Sequence, residues 1–279
     1  MSVLETIGKP QPRPPIITIA GDAGTGKSSL ACSFPDPIVI RAEDGLNRID
    51  ASLEKPDAFP PVKTANELWD QLIALLGEKH DYSTVIIDSV SKLDEIFTRD
   101  ILEQDGRAKT LATAMGGYGA GFQALAGMHA RVRKACGLLN ERRGMAVVFI
   151  AHADLETMRL PDVDDYQRWS LRLAAKSIPF YCDDVDLVGY VRIASVLKGK
   201  DDDRKKVISD GSREFICHAT AASISKNGLG ITEPLQFAPG TNPLADALGI
   251  TARKKGKPAA PSAKADSETE TKTTEGENV

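Results

Sequence analysis

A short apolar run, Pro15–Ala20, ends at Gly21-Asp22-Ala23-Gly24-Thr25-Gly26-Lys27-Ser28, and a helical stretch begins at Lys27 and runs through SSLACSF. No other segment constrains the chain so tightly. The octapeptide fits G-x-x-x-x-G-K-[ST], whose glycines let the backbone curl so that successive N–H groups point at a polyphosphate. The helix behind it adds the partial positive charge of its first turn. In this pattern Lys27 sets an ammonium on the β- and γ-phosphates, and the Ser28 hydroxyl ligates Mg²⁺. Gly21, Asp22, Ala23, Gly24, Thr25, Gly26, Lys27 and Ser28, with Ser29 next on the helix, are therefore the expected contacts for ATP. A buried strand feeding such a loop and helix calls for an α/β protein.

The rest of the chain has the matching rhythm. Pro37–Arg41, Ser83–Asp88 and Met145–Ala151 are further apolar strands. Ala65–Lys79, with Leu68, Leu72, Ile73, Leu75 and Leu76 at helical spacing, Val90–Leu102 and Phe122–Arg142 are helices between them. Strands that are continuous apolar runs, alternating with helices, mean a mostly parallel sheet covered on both faces. The glycine-rich stretch 107–121 reads as a mobile loop, and the acidic stretch 153–167, with Pro161 inside, as an extended one. Arg168–Leu173, Val185–Ala194, Lys206–Ser209 and Glu214–Ala219 alternate and read as antiparallel strands added to the sheet edge. The expected organisation is a flexible lead-in over 1–14, one ATPase domain over 15–250 and a disordered tail over 251–279, where large apolar residues give out.

Bulk properties remove some alternatives. A formal net charge of -4 gives no global attraction to nucleic acid, so any such contact rests on local basic clusters. No apolar run approaches the ~20 residues of a membrane helix, and the N-terminus lacks a signal-peptide pattern. The four cysteines show no CxxC spacing, which suits free thiols in a cytoplasmic protein. Cys182 with Asp183 and Asp184, and Cys217 with His218, fit no ordinary zinc motif.

A nucleotide loop needs an acid for the water shell of Mg²⁺ and a group to orient the attacking water. Asp88, closing Val85-Ile86-Ile87, is the candidate for the metal, its competing role being a cap on the helix that follows. Glu43, just past the second strand, is the preferred base, with Asp44 as its competitor. His152, at the end of the fourth strand, stands where a side chain can sense the γ-phosphate, although a lone histidine there is as readily structural.

The order of these features resembles the RecA-like core, and more narrowly the phage-encoded RecA-like ATPases of the single-strand annealing type. The narrower likeness is carried by Gly117-Tyr118-Gly119-Ala120-Gly121, Ala151-His152-Ala153, Tyr166-Gln167-Arg168-Trp169 with Leu171 and Leu173, and Asp186-Leu187-Val188-Gly189-Tyr190. It covers about residues 15–240. The resemblance implies rings or filaments of the chain with ATP at subunit interfaces, in the cytoplasm of a phage-infected bacterium. It also implies single-stranded DNA held by two loops, about 105–121 and 153–177, with a single-strand binding protein as a further partner. Arg107, Lys109, Arg159, Arg168, Arg172 and Lys176 are the candidate phosphate contacts there, and Tyr118, Tyr166 and Trp169 the candidate stacking faces. Asp162, Asp164 and Asp165 in the second loop oppose them. Where the family reaches into the neighbouring subunit's ATP with K-x-R, this chain reads Lys226-Asn227-Gly228, so Lys226 is the sole candidate finger.

Three functions fit these features: a DNA-stimulated ATPase of phage recombination or replication, a P-loop small-molecule kinase, and a non-hydrolysing nucleotide switch that docks a protein partner.

Overall fold

The structure, a computed structural model, describes residues 4, 7–9, 12–49, 54–194, 196–198, 206–208, 211–218 and 220–250. The tail expected over 251–279 and half of the 1–14 lead-in lie outside the described residues.

The chain opens with β1 (Ile16–Gly21), the loop, and α1 (Lys27–Cys32), followed by β2 (Pro37–Arg41) and the short β3 (Asp57–Ala58). Next come α2 (Ala65–Gly77), β4 (Thr84–Asp88), α3 (Val90–Asp105), α4 (Ala120–Arg143) and β5 (Ala146–Met158). Then follow β6 (Tyr166–Leu171), α5 (Pro179–Cys182), β7 (Leu187–Ile193), β8 (Val196–Lys198) and β9 (Lys206–Ile208). The last elements are β10 (Arg213–Ile216), β11 (Lys226–Asn227), β12 (Leu235–Phe237) and α6 (Pro243–Ala247). The sheet runs β12-β10-β7-β1-β5-β4-β2-β3, with β11 on β7 and β6 on β5, while β8 and β9 form a separate hairpin. The six strands from β7 to β3 are mutually parallel. This is the mixed α/β, mostly parallel architecture expected from the alternation of elements.

Because both faces are covered, successive residues of one strand enter different cores. Val85 and Ile87 of β4 face Leu68, Leu72, Phe97 and Leu125 of α2, α3 and α4. Ile86, between them, joins Leu30 of α1, Phe34 just beyond it and Leu244 of α6. Local signals set the helix starts. Thr64 and Glu67 form a reciprocal capping box on α2, and Ser89 caps α3 by accepting the Lys92 N–H. Since Ser89 does the capping, the Asp88 carboxylate is left for other work.

Two sequence expectations need correction. The Val185–Ala194 stretch is no antiparallel edge strand: β7 lies inside the sheet, parallel to β1 from Ile17↔Leu187 to Gly21↔Val191, and its first five residues are all buried. The crossover feeding it contains only the four-residue α5, too short to show helical periodicity. Nor is 153–167 wholly loop. β5 continues to Met158 and turns back as β6, with Ala153↔Leu171 and Met158↔Tyr166 in register. Its far half, exposed from Asp154 to Thr157 and freed from the covered sheet, lacks the apolar run that marks the other strands. The 107–121 stretch includes a single 3-10 turn, Ala114–Gly116, before α4 begins. Among the described residues no helix is long and apolar enough to cross a membrane.

Candidate nucleotide site

Parallel strands aim their C-terminal ends at one edge of the sheet, and the predicted site residues meet there. Gly21 of β1 pairs with His152 of β5, and Asp88 of β4 with Arg41 of β2 and Ile150 of β5. The Asp88 carbonyl accepts the N–H groups of Ala42 and Glu43, at 2.7 and 3.2 Å, which ties the β2 turn to the end of β4.

The loop curls as its glycines require, with Gly24 and Gly26 at φ 77° and 97°. Lys27 is folded back, its Nζ donating to the Asp22 carbonyl at 2.7 Å. Burial lowers its pKa, against the opposing pull of Asp88, Glu43 and Asp22. The Ser28 hydroxyl donates to Asp88 Oδ2 at 2.8 Å. Asp88 is 1% exposed, and its Oδ1 is buried with no hydrogen-bond partner. Burial, and then the charge of Glu43, raise its pKa to about 6. Gly45 keeps this spot open, since a Cβ there stands 3.0 Å from Asp88 Oδ2 and 3.4 Å from Ser28 Oγ.

Glu43 lies beside this pair. Both of its carboxylate oxygens face His152 Nε2, at 3.2 and 3.3 Å, and chiefly through that bond its pKa falls to about 2. Its competitor Asp44 is exposed and accepts from the Asn47 amide instead. His152 is held by its own N–H, which donates to Ser91 Oγ at 2.9 Å. A cavity of about 440 Å³ opens here, lined by loop residues together with Glu43, Gly45, His152 and Arg213.

The other predicted residues scatter. Arg172 is exposed on the nucleotide side: it lines a cavity with Glu43, Asp44 and His152, and its backbone N–H donates to the His152 carbonyl at 2.8 Å. Arg159 and Arg168 pair with Asp165 and Glu156, at 3.4 and 3.0 Å. Arg107, Lys109 and Lys176 are exposed, and Lys176 reaches Gln123 Oε1 at 3.5 Å. Tyr118 is fully exposed, whereas Trp169 is occupied, stacked on Tyr190 at 5.2 Å. Lys226 is not brought to the loop of its own chain. It pairs with Val188, three residues before the partner of Gly21, and its Nζ donates to the Asp183 carbonyl. Cys182 and Cys217 are buried free thiols.

Three participants were not read from the sequence. Ser91 and Gly45 carry no motif. Arg213 lies one residue before the alternating segment Glu214–Ala219, and nothing local shows what stands beside it.

A family model described as AAA domain matches residues 13–219 of the chain. No curated protein matches it.

Proposed function

The chain belongs to the AAA domain family, and from that premise we propose that it is a magnesium-dependent ATPase acting on single-stranded DNA, as the RecA-like annealing ATPases do. One observation carries the reading: Ser28, Asp88, Glu43 and His152, from four separate segments, converge beside the Gly21–Ser28 loop.

The residues suit a divalent ion. Asp88 offers a buried oxygen with no partner, next to a serine hydroxyl, the hard oxygen pair that magnesium favours. Ser28 and Asp88 would hold the ion, which when bound neutralises charge on the β- and γ-phosphates. The chain's own residues do the rest. The loop amides bind the phosphates, and Lys27, exchanging the Asp22 carbonyl for the γ-phosphate, offsets charge as the terminal P–O bond breaks. Glu43, ionised throughout the neutral range, accepts a hydrogen bond from water and aligns it for in-line attack. Its low pKa makes it chiefly an orienting group. His152, bonded to Glu43 from the middle of β5, serves as the γ-phosphate sensor in this reading.

Support for DNA comes from the surface. Arg107, Lys109 and Lys176 are exposed cations, and Tyr118 offers a free ring on the glycine-rich stretch. The Lys176–Gln123 bond sets the second segment against the start of α4. Assembly into rings or filaments, a single-strand binding protein as co-partner, and the cytoplasm of a phage-infected bacterium follow from the same likeness. Phosphate release with and without single-stranded DNA tests the proposal. Stimulation by DNA is expected. Turnover only with an added small-molecule acceptor, or none at all, contradicts it.

A further inference from the structure

Beyond the loop lysine, the structure assigns a second phosphate-binding cation to the site: Arg213, at the start of β10. The inference rests on the reading of Gly21–Ser28 as a nucleotide loop, which it deepens.

The placement is fixed by the sheet. Arg213 pairs with Ile193 on one side and Phe237 on the other, so its backbone is held between β7 and β12. Ile193 lies two residues beyond Val191, the partner of Gly21, which carries Arg213 up to the level of the loop. Alternation puts Arg213 and Phe215 on one face, and Phe215 is buried in the core that contains α1. The guanidinium side chain then lies over Gly26. A Cβ on Gly26 stands 3.1 Å from Arg213 Cδ, 3.2 Å from Nε and 3.4 Å from Cζ. Gly26 therefore answers to two demands, a φ of 97° and room for this side chain.

The charge is not spent within the fold. Glu214, the adjacent carboxylate, points to the other face and pairs with Arg192. Among the described residues, Arg213 has no carboxylate partner, and it lines the same cavity as Lys27, Ser28 and Glu43. Loop amides such as that of Gly26 cradle the α- and β-phosphates, while the loop lysine serves the β- and γ-phosphates. An arginine fork laid against Gly26 thus meets the α/β portion, where bidentate geometry suits phosphate oxygens. That portion is common to ATP and ADP, so Arg213 contributes binding that is uniform between ground and transition states.

Calorimetric titration of Mg²⁺·ADP and of a non-hydrolysable Mg²⁺·ATP analogue, with steady-state phosphate release alongside, tests this. Arg213→Ala is expected to weaken both nucleotides by the same factor, about 10- to 100-fold, the loss of a charge-assisted contact. KM rises by that factor with kcat unchanged, Arg213→Lys recovers part of the affinity, and the Tm without nucleotide stays at the parent value. Should Arg213→Ala fold poorly, Arg213→Gln, which keeps most of the stem and loses the charge, is expected to show the same loss. Parent-like affinity in the folded variant, while Lys27→Ala loses binding, overturns the role of Arg213 and leaves the loop reading standing. A fall in kcat with unchanged affinity overturns it too. Absence of nucleotide binding by the parent protein removes both.

Discussion

The His152 imidazole reaches both carboxylate oxygens of Glu43, at 3.2 and 3.3 Å, joining the middle of β5 to the turn after β2 across the intervening strand β4. The proposed water-orienting group and the proposed γ-phosphate sensor are thus one hydrogen-bonded unit, seated beside the Ser28–Asp88 pair. A phosphate that draws on the imidazole also alters what holds the carboxylate.

Glu43→Gln keeps the size of the side chain and removes its charge. Nucleotide affinity is expected to stay within a few-fold of the parent while phosphate release falls about 10²- to 10⁴-fold, the range for loss of a positioned base. Binding and single-turnover measurements on the same preparation check it. Turnover at the parent rate rules out Glu43 as the orienting group.

The two acids of the site titrate apart, Asp88 near 6 and Glu43 near 2. As pH falls through 6, Asp88 takes up a proton and ceases to be a metal ligand, while Glu43 remains ionised. Since kcat/KM reports the free enzyme, it is expected to drop on the acid side of about pH 6, and the drop shifts to lower pH at higher Mg²⁺. A profile flat down to pH 4.5 contradicts this assignment.

Behind the sheet, His129 is fully buried between Tyr181, whose hydroxyl lies 2.7 Å from Nδ1, and Asp94, 3.1 Å from Nε2. Asp94 also accepts the Ala174 N–H, so the network ties α3, α4 and α5 to the segment after β6. His129→Ala leaves a cavity and a buried Tyr181 hydroxyl without its partner, an expected cost of roughly 3 kcal/mol or more. Tyr181→Phe, which removes one hydroxyl, is expected to cost about 1 kcal/mol. Denaturant midpoints measure both.

Much of this was legible in the chain itself. The loop, the strand end at Asp88 and the turn bearing Glu43 are local patterns, each readable within a few residues; His152, read as a strand end, lies mid-strand because β5 runs on to Met158. The interior place of β7 was not, because pairing partners are set by tertiary packing and the four-residue α5 announces no crossover. Arg168–Leu173 reads as an antiparallel strand, and β6 is one, but the extension of β5 to Met158 was missed because strand residues away from the covered sheet are mostly polar. Arg172 shows the same limit from another side: its place beside His152 is set by the backbone turn after β6, which no local pattern announces.

Lys226 lies about 10 Å along the sheet from the loop level of its own chain, at 3.3 Å per strand residue. If it serves a neighbour's ATP, Lys226→Ala lowers turnover only in the assembled state. Mixing it with Lys27→Ala is then expected to restore activity above the sum of the two alone. Strict additivity at every protein concentration contradicts a role in trans.

The central claim is that the loop from Gly21 to Ser28, with Asp88 behind it, holds a magnesium-bound adenosine triphosphate. Calorimetric titration of a non-hydrolysable ATP analogue, with and without Mg²⁺, into the parent protein and Lys27→Ala tests it most directly. Saturable, Mg²⁺-dependent binding at one site per chain, lost in Lys27→Ala, is the expected result. No heat from the parent at millimolar nucleotide and magnesium, or equal binding by Lys27→Ala, contradicts it.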